Sequence, residues 1–146
     1  MPLGQWGVPA NRGAVIRTAR RGSSRENAAA MAMTVLVVDD HPGFRACARG
    51  LLEREGYRVV GEAADCASAL SRGQELKPQL ALVDVYLPNC DGFEVAARLA
   101  ALEHPPAIVL TSSHDRSEFD SLVAASAAKG FVPKDELSRE SIEELL

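Results

Sequence analysis

No apolar run in this 146-residue chain approaches the roughly 18 residues that a membrane-spanning helix needs, so no transmembrane segment is expected. The N-terminus lacks the apolar core of a secretory signal. Cysteine is scarce: Cys47, Cys66 and Cys90 are odd in number and widely spaced. They fit neither a zinc pattern nor a disulfide framework, which points to a reducing cytoplasm with all three acting as small buried hydrophobes. No period of roughly 20 to 50 residues recurs, which excludes solenoids and propellers. His104 and His114 fall in expected loops and carry no ligand motif. What remains is a chain 47% apolar and 25% charged, ordinary for a soluble domain and long enough for one real core.

Charge divides the chain. Residues 1–32 carry five arginines against one acid, a balance of +4, and the rest carries 11 basic and 19 acidic residues, a balance of −8. The head also holds Pro2, Pro9 and four glycines without apolar periodicity, and is expected to be a disordered basic extension. A basic tail can meet nucleic acid or an anionic membrane. The plainer expectation is a passive tail or an over-extended reading frame, with Met31 or Met33 as the start.

From Met33 the pattern becomes regular. "MTVLVV", "YRVVGEA", "QLALVDV", "PAIVLTS" and "KGFVPK" read as five strands. Between them, "GFRACARGLLEREG" after Pro42, "DCASALSRGQEL" after a cap at Asp65, "DGFEVAARLAAL" and "DRSEFDSLVAASAA" capped by Asp115 read as helices. Phe44, Cys47, Ala48, Leu51 and Leu52 form the inward stripe of the first. "SRESIEELL", opened by Ser138, reads as a last helix. Such alternation implies an α/β fold, a doubly wound five-stranded parallel sheet with helices on both faces, over residues 33–146. Its site lies at the carboxyl ends of the strands.

Those ends carry Asp39 and Asp40, then Asp84, then Thr111 with Ser112 and Ser113, then Lys134. Two carboxylates about 4 Å apart repel by roughly 4 kcal/mol at an effective dielectric near 20. Three acids in one cleft suit a hard divalent cation such as Mg²⁺, which relieves that repulsion. Such a cation also favours phosphoryl chemistry, in which a carboxylate can be the nucleophile. Thr111 can donate a hydroxyl to the phosphate and Lys134 can pair with it.

With these residues in view, the sequence resembles the receiver domain of bacterial two-component response regulators over residues 33–146. The resemblance rests on the Asp39–Asp40 pair, Asp84, the "LPNCDG" turn with Pro88 and Gly92, Thr111, Phe131 and Lys134. It implies the flavodoxin-like strand order 2-1-3-4-5. A histidine kinase or phosphotransfer protein would supply a phosphoryl group to Asp84. Mg²⁺ would bind Asp39, Asp40, Asp84 and the Tyr86 backbone carbonyl. Thr111 and Phe131 would form the switch, and Lys134 would contact the phosphoryl group. The protein would be a signalling phosphoacceptor rather than an enzyme, limited to its own phosphotransfer and dephosphorylation. Tyr86 and Ser113 match positions that tune phosphoryl lifetime. Homodimers on phosphorylation are a family habit.

"GFVPKDEL" resembles regulators that carry a C-terminal DNA-binding domain, but the match ends in the last helix. The chain is then a stand-alone receiver or a piece of a longer regulator, and DNA enters only in the second case. Two alternatives are weaker. An aspartate-nucleophile phosphatase places a second acid two residues after the nucleophile, where this chain has Tyr86 or His41. A flavin binder needs a phosphate loop after the first strand, where "DDHPGF" would repel phosphate. His41 is expected on the rim, outside the ligand set.

Overall fold

The computed structural model describes residues 32–114 and 119–146. β1 (Thr34–Val38) is the apolar run before the acid pair, and every residue from Val35 onward is buried. Its alternate residues feed two cores: Val35 and Val37 face one, Leu36 and Val38 the other. Burial on both faces is why the run has no polar alternation.

α1 (Pro42–Arg54) follows with Pro42 in its first turn, where no backbone donor is needed. After β2 (Arg58–Ala63), α2 (Cys66–Leu76) opens on a capping box in which Asp65 and Ser68 each bond the other's backbone. β3 (Leu80–Asp84) is buried throughout. A short antiparallel hairpin, β4 (Tyr86–Leu87) and β5 (Cys90–Asp91), leads into α3 (Gly92–Ala100). The Asp91 side chain caps α3 by accepting from Glu94 N. β6 (Ala107–Ser112), α4 (Asp120–Ala124) and β7 (Gly130–Pro133) come next. A 3₁₀ turn (Lys134–Glu136) then joins β7 to α5 (Arg139–Glu143), which opens on a Ser138–Ser141 capping box.

The main sheet runs β2-β1-β3-β6-β7, and all its pairings are parallel. Counted among the parallel strands alone, this is the expected order 2-1-3-4-5. Ala48 and Leu52 of α1 and Ile142 of α5 pack on one face with Val37, Leu82 and Val109. Ala69 of α2 and Val95 and Leu99 of α3 pack on the other with Leu36, Val83 and Leu110. No helix among the described residues is long and apolar enough to cross a membrane.

Four local expectations need correction. The hairpin was hidden because its strands are too short for periodicity; its signal is Pro88-Asn89, with Asn89 at φ 68°, a backbone conformation that Asn tolerates at a tight turn. The fourth helix stops at Ala124 rather than reaching Ala128. Ser126 Oγ there donates to the Val123 carbonyl and accepts from Ala128 N, replacing helical bonds. Cys47 is exposed rather than on the buried stripe of α1, whose buried residues are Ala48 and Leu52. Cys66 and Cys90, expected to be unrelated, meet side chain to side chain with Cα atoms 6.5 Å apart. Their wide spacing concealed this, because only the fold brings α2 and β5 together. The basic extension through Met31 and the Asp115 cap lie outside the described residues.

Candidate functional site

Asp84 is the last residue of β3, and Thr111 is its register partner on β6. Asp39 follows β1, and Lys134 follows β7. The parallel sheet therefore brings all four to one end, as the sequence implied. Asp39 and Asp84 are buried, while Asp40 is partly open to solvent. Oxygens of Asp39, Asp40 and Asp84 and a ring nitrogen of His41 all lie within 4.8 Å of one another.

Lys134 closes this cluster. Its Nζ lies 2.7 Å from Asp39 Oδ2 and 3.2 Å from Asp84 Oδ2, with the side chain only 14% exposed. It also sits 4.4 Å from the centre of the Phe44 ring. Burial works against the Lys134 charge, but the hydrogen bond to Asp39 and the charges of Asp84 and Asp39 outweigh it, and its pKa rises. The Asp84 carboxyl is pushed up, first by burial and then by the Asp39 charge; Lys134 and Tyr86 N offset only part of this. The ionised Asp84 is thus held in a costly state that a further cation would relieve.

Thr111 and Ser112 are both buried but differently engaged. Ser112 Oγ accepts from His114 N at 3.0 Å. Thr111 Oγ1 is buried with no hydrogen-bond partner among the described residues. A buried polar atom left unmatched costs about 1–3 kcal/mol, so it marks a place where another group is expected. Ser113 is exposed.

Tyr86 N donates to Asp84 Oδ1 at 3.2 Å. The Tyr86 ring is 51% exposed and lies 5.0 Å from His114 and 5.9 Å from Phe119. Phe131, on β7, is buried with its ring 5.5 Å from Phe119. At the hairpin's end, a Cβ on Gly92 would collide with the Asp84 carbonyl oxygen and stand 2.9 Å from Val85 Cα. Only glycine lets α3 start this close to the acid.

Two contributions escaped sequence reasoning. His41 keeps its expected place on the exposed rim, but its Nδ1 is 3.1 Å from an oxygen of Asp39 and 3.1 Å from one of Asp40, contacts the sequence did not show. Its position directly after the acid pair was the available signal. Arg45 donates to the Asp39 carbonyl at 2.6 Å and to Glu62 Oε1 at 3.0 Å. Glu62 is on β2, so nothing in the linear sequence links the two.

The donor set fits a hard cation: three carboxylates, two of them buried, with Asp84 raised by its neighbours. The family model for the response regulator receiver domain matches residues 35–146. The chain belongs to the response regulator receiver family. Among its relatives, the positive alginate biosynthesis regulatory protein of Pseudomonas aeruginosa is 38% identical over 115 residues, covering 77% of this chain and 46% of that protein. The DNA-binding transcriptional activator EvgA of Escherichia coli K12 is 30% identical over 104 residues, covering 71% and 51%. The receiver thus spans about half the length of these curated relatives. Among solved structures, the signal receiver domain of NarL from Mycobacterium tuberculosis superposes with a TM-score of 0.70 at 34% identity, covering 78% of this chain and 96% of that one. A LuxR-family two-component response regulator from Aurantimonas sp. SI85-9A1 gives 0.69 at 31% identity, covering 77% and 81%.

Proposed function

We propose that this receiver is a phosphoacceptor switch in which Asp84 takes a phosphoryl group from a histidine kinase or phosphotransfer protein. The observation that carries the reading is the pairing of Asp84 with an unmatched buried donor. Its register partner Thr111 presents a hydroxyl with nothing to bond among the described residues. A carboxylate oxygen of Asp84 forms a bond to phosphorus as the bond from phosphorus to the donor's leaving atom breaks. Asp39, Asp40, Asp84 and the Tyr86 carbonyl would hold Mg²⁺, which offsets charge on the phosphoryl oxygens when bound.

The protein's own groups do the rest. Lys134, already beside Asp84, pairs with the added charge of about −1.5 to −2. The Thr111 hydroxyl gains the acceptor it lacks. Its movement opens room that the Phe131 ring can occupy, which carries the change to the α4–β7–α5 side. Phosphorylation would also favour a homodimer of the receiver, while an output on DNA would enter only as part of a longer regulator, as in the relative named a DNA-binding transcriptional activator.

The test is incubation with Mg²⁺ and acetyl phosphate, followed by intact mass and peptide mapping. One adduct of phosphoryl mass on the peptide holding Asp84, absent from Asp84→Ala, supports the reading. A comparable yield from Asp84→Ala refutes it.

A further inference from the structure

Cys66 opens α2 and Cys90 opens β5. They are 24 residues apart in sequence, yet their sulfurs are in contact and their Cα atoms stand 6.5 Å apart. Disulfides join Cα atoms about 4.4–6.8 Å apart, and the separation here falls inside that range. Both side chains are half-buried against the core under α2 and α3. Cys47 is free and exposed on α1.

The element this pair reaches is the backbone beside Asp84. The β4–β5 hairpin forms its own two-stranded sheet and joins no strand of the main one. It is fastened near Asp84 by Gly92 N donating to the Val85 carbonyl at 2.7 Å and by Tyr86 N donating to Asp84 Oδ1 at 3.2 Å. A covalent link at Cys90 would fasten its far strand to α2.

We propose that Cys66 and Cys90 are a redox modification site, a reversible disulfide that tethers the β4–β5 hairpin to α2. The oxidant is a low-molecular-weight disulfide such as oxidised glutathione. One protein thiolate attacks it, forming a mixed disulfide and releasing one reduced thiol. The second protein thiolate attacks the bound protein sulfur, closes the Cys66–Cys90 bond and releases the second reduced thiol. The two protein thiol protons end on the two released thiols. In reducing surroundings the pair rests as thiols, and the bond registers a shift in redox poise. Any effect on phosphorylation rests on the reading of Asp84 above, whereas the tether does not.

The full chain is equilibrated in glutathione buffers from fully reduced to fully oxidised, then alkylated, weighed and mapped. Oxidised protein should give a linked Cys66–Cys90 peptide, which C66S and C90S lack, with Cys47 recovered outside that linkage as its alkylated or glutathione-bound form. Amide exchange across residues 85–91 should slow by roughly threefold or more on oxidation. That difference should vanish in C66S and C90S and persist in C47S. Three alkylatable cysteines under oxidising conditions, glutathione adducts without the linked peptide, or equal exchange in both states would overturn the proposal. Acetyl phosphate uptake measured in parallel separates the two readings: an adduct in neither redox state refutes the role of Asp84, while linkage and exchange still decide the tether.

Discussion

The segment of the receiver that ends at Asp84 is braced, and α4, after β6, is thinly held, although both flank the same rim. In the braced segment α1 and α2 run 13 and 11 residues. Arg45 and Arg49 of α1 both bond Glu62 of β2, and Arg45 also holds the Asp39 carbonyl. After Asp84, α3 is capped by Asp91 and buries Val95, Ala96 and Leu99, and α5 buries Ile142, whereas α4 has no side-chain cap and no buried residue among those described. The acids sit on the braced segment; Thr111, Phe131 and Lys134 come after it. Elements that move in switching are drawn from the low-stability end of a fold, while a ligand set works best when fixed. The proposed switch would call for such a division, with a fixed ligand set beside a more loosely held element.

Lys134 ties the end of β7 to the acids, and removing it is the largest stability test of the comparison. Lys134→Met leaves Asp39 and Asp84 facing each other, buried and without their cation. Breaking a buried pair from one side costs about 3–5 kcal/mol, so metal-free urea denaturation should show a loss of about 3 kcal/mol. Mg²⁺ should recover part of it by supplying a cation to the same acids. A loss under about 0.5 kcal/mol would make Lys134 an ordinary surface lysine.

Gly92→Ala probes the seam where the braced segment ends. Its new Cβ meets backbone, the Asp84 carbonyl and Val85 Cα, which cannot swing aside as a flexible side chain would. Overpacking of this kind costs about 1–3 kcal/mol, and the displacement falls on the residue proposed to be phosphorylated. Thermal melts and acetyl phosphate uptake should both decline. An unchanged melting temperature would show that α3 can start further from Asp84.

How far the sequence anticipated this arrangement depends on the range of each contact. The five parallel strands followed from apolar runs alternating with helices, a local signal, while their order came with the family resemblance. Asp39, Asp84, Thr111 and Lys134 could be placed on one rim because strand ends are visible as the end of each run. The hairpin, His41's double contact, Arg45 and the meeting of Cys66 with Cys90 were not visible. Glu62 and the second cysteine lie across the fold from their partners, two-residue strands carry no period to detect, and His41's contacts with its own neighbours depend on side-chain geometry that the sequence does not display. That the Thr111 hydroxyl bonds nothing among the described residues could not be foreseen either, since a missing bond appears only in three dimensions.

The pH dependence sharpens the contrast within the acid set. The pKa of Asp84 is raised in the folded state, so the native protein holds that proton more tightly than the unfolded chain. Stability without metal should therefore fall as pH climbs from about 4, the ordinary carboxylate value, through the raised folded one. Asp84→Asn removes this slope while Lys134 keeps Asp39 as its partner. Metal-free melts at neutral pH should favour Asn by about 1 kcal/mol, roughly 4 °C, with the gap closing under acid. Lys134 acts at the other extreme: its folded pKa is raised above 10.5, so its contribution is complete below that value and is lost as pH rises beyond it. A wild type more stable than Asp84→Asn at neutral pH would mean that pairing with Lys134 outweighs burial and the Asp39 charge.

The smallest expected effect on stability belongs to Thr111→Val, and it tests the proposed switch most directly. The two side chains have nearly the same shape, and valine suits a buried strand. Since the Thr111 hydroxyl bonds nothing among the described residues, its loss removes a desolvated group without stranding a partner. Stability should stay level or rise by up to about 1 kcal/mol. Phosphoryl uptake should persist, because Asp84, Lys134 and the other acids are untouched. What should disappear is the response at the ring pair Phe131–Phe119, read as NMR shifts with and without the phosphodonor. A loss of more than about 1 kcal/mol would mean the hydroxyl is already satisfied in solution, by water for example, and is not held in reserve. Ring shifts of wild-type size in the Thr111→Val protein would mean that the signal leaves Asp84 by another route, with the Tyr86 ring, 5.9 Å from Phe119, the next to examine.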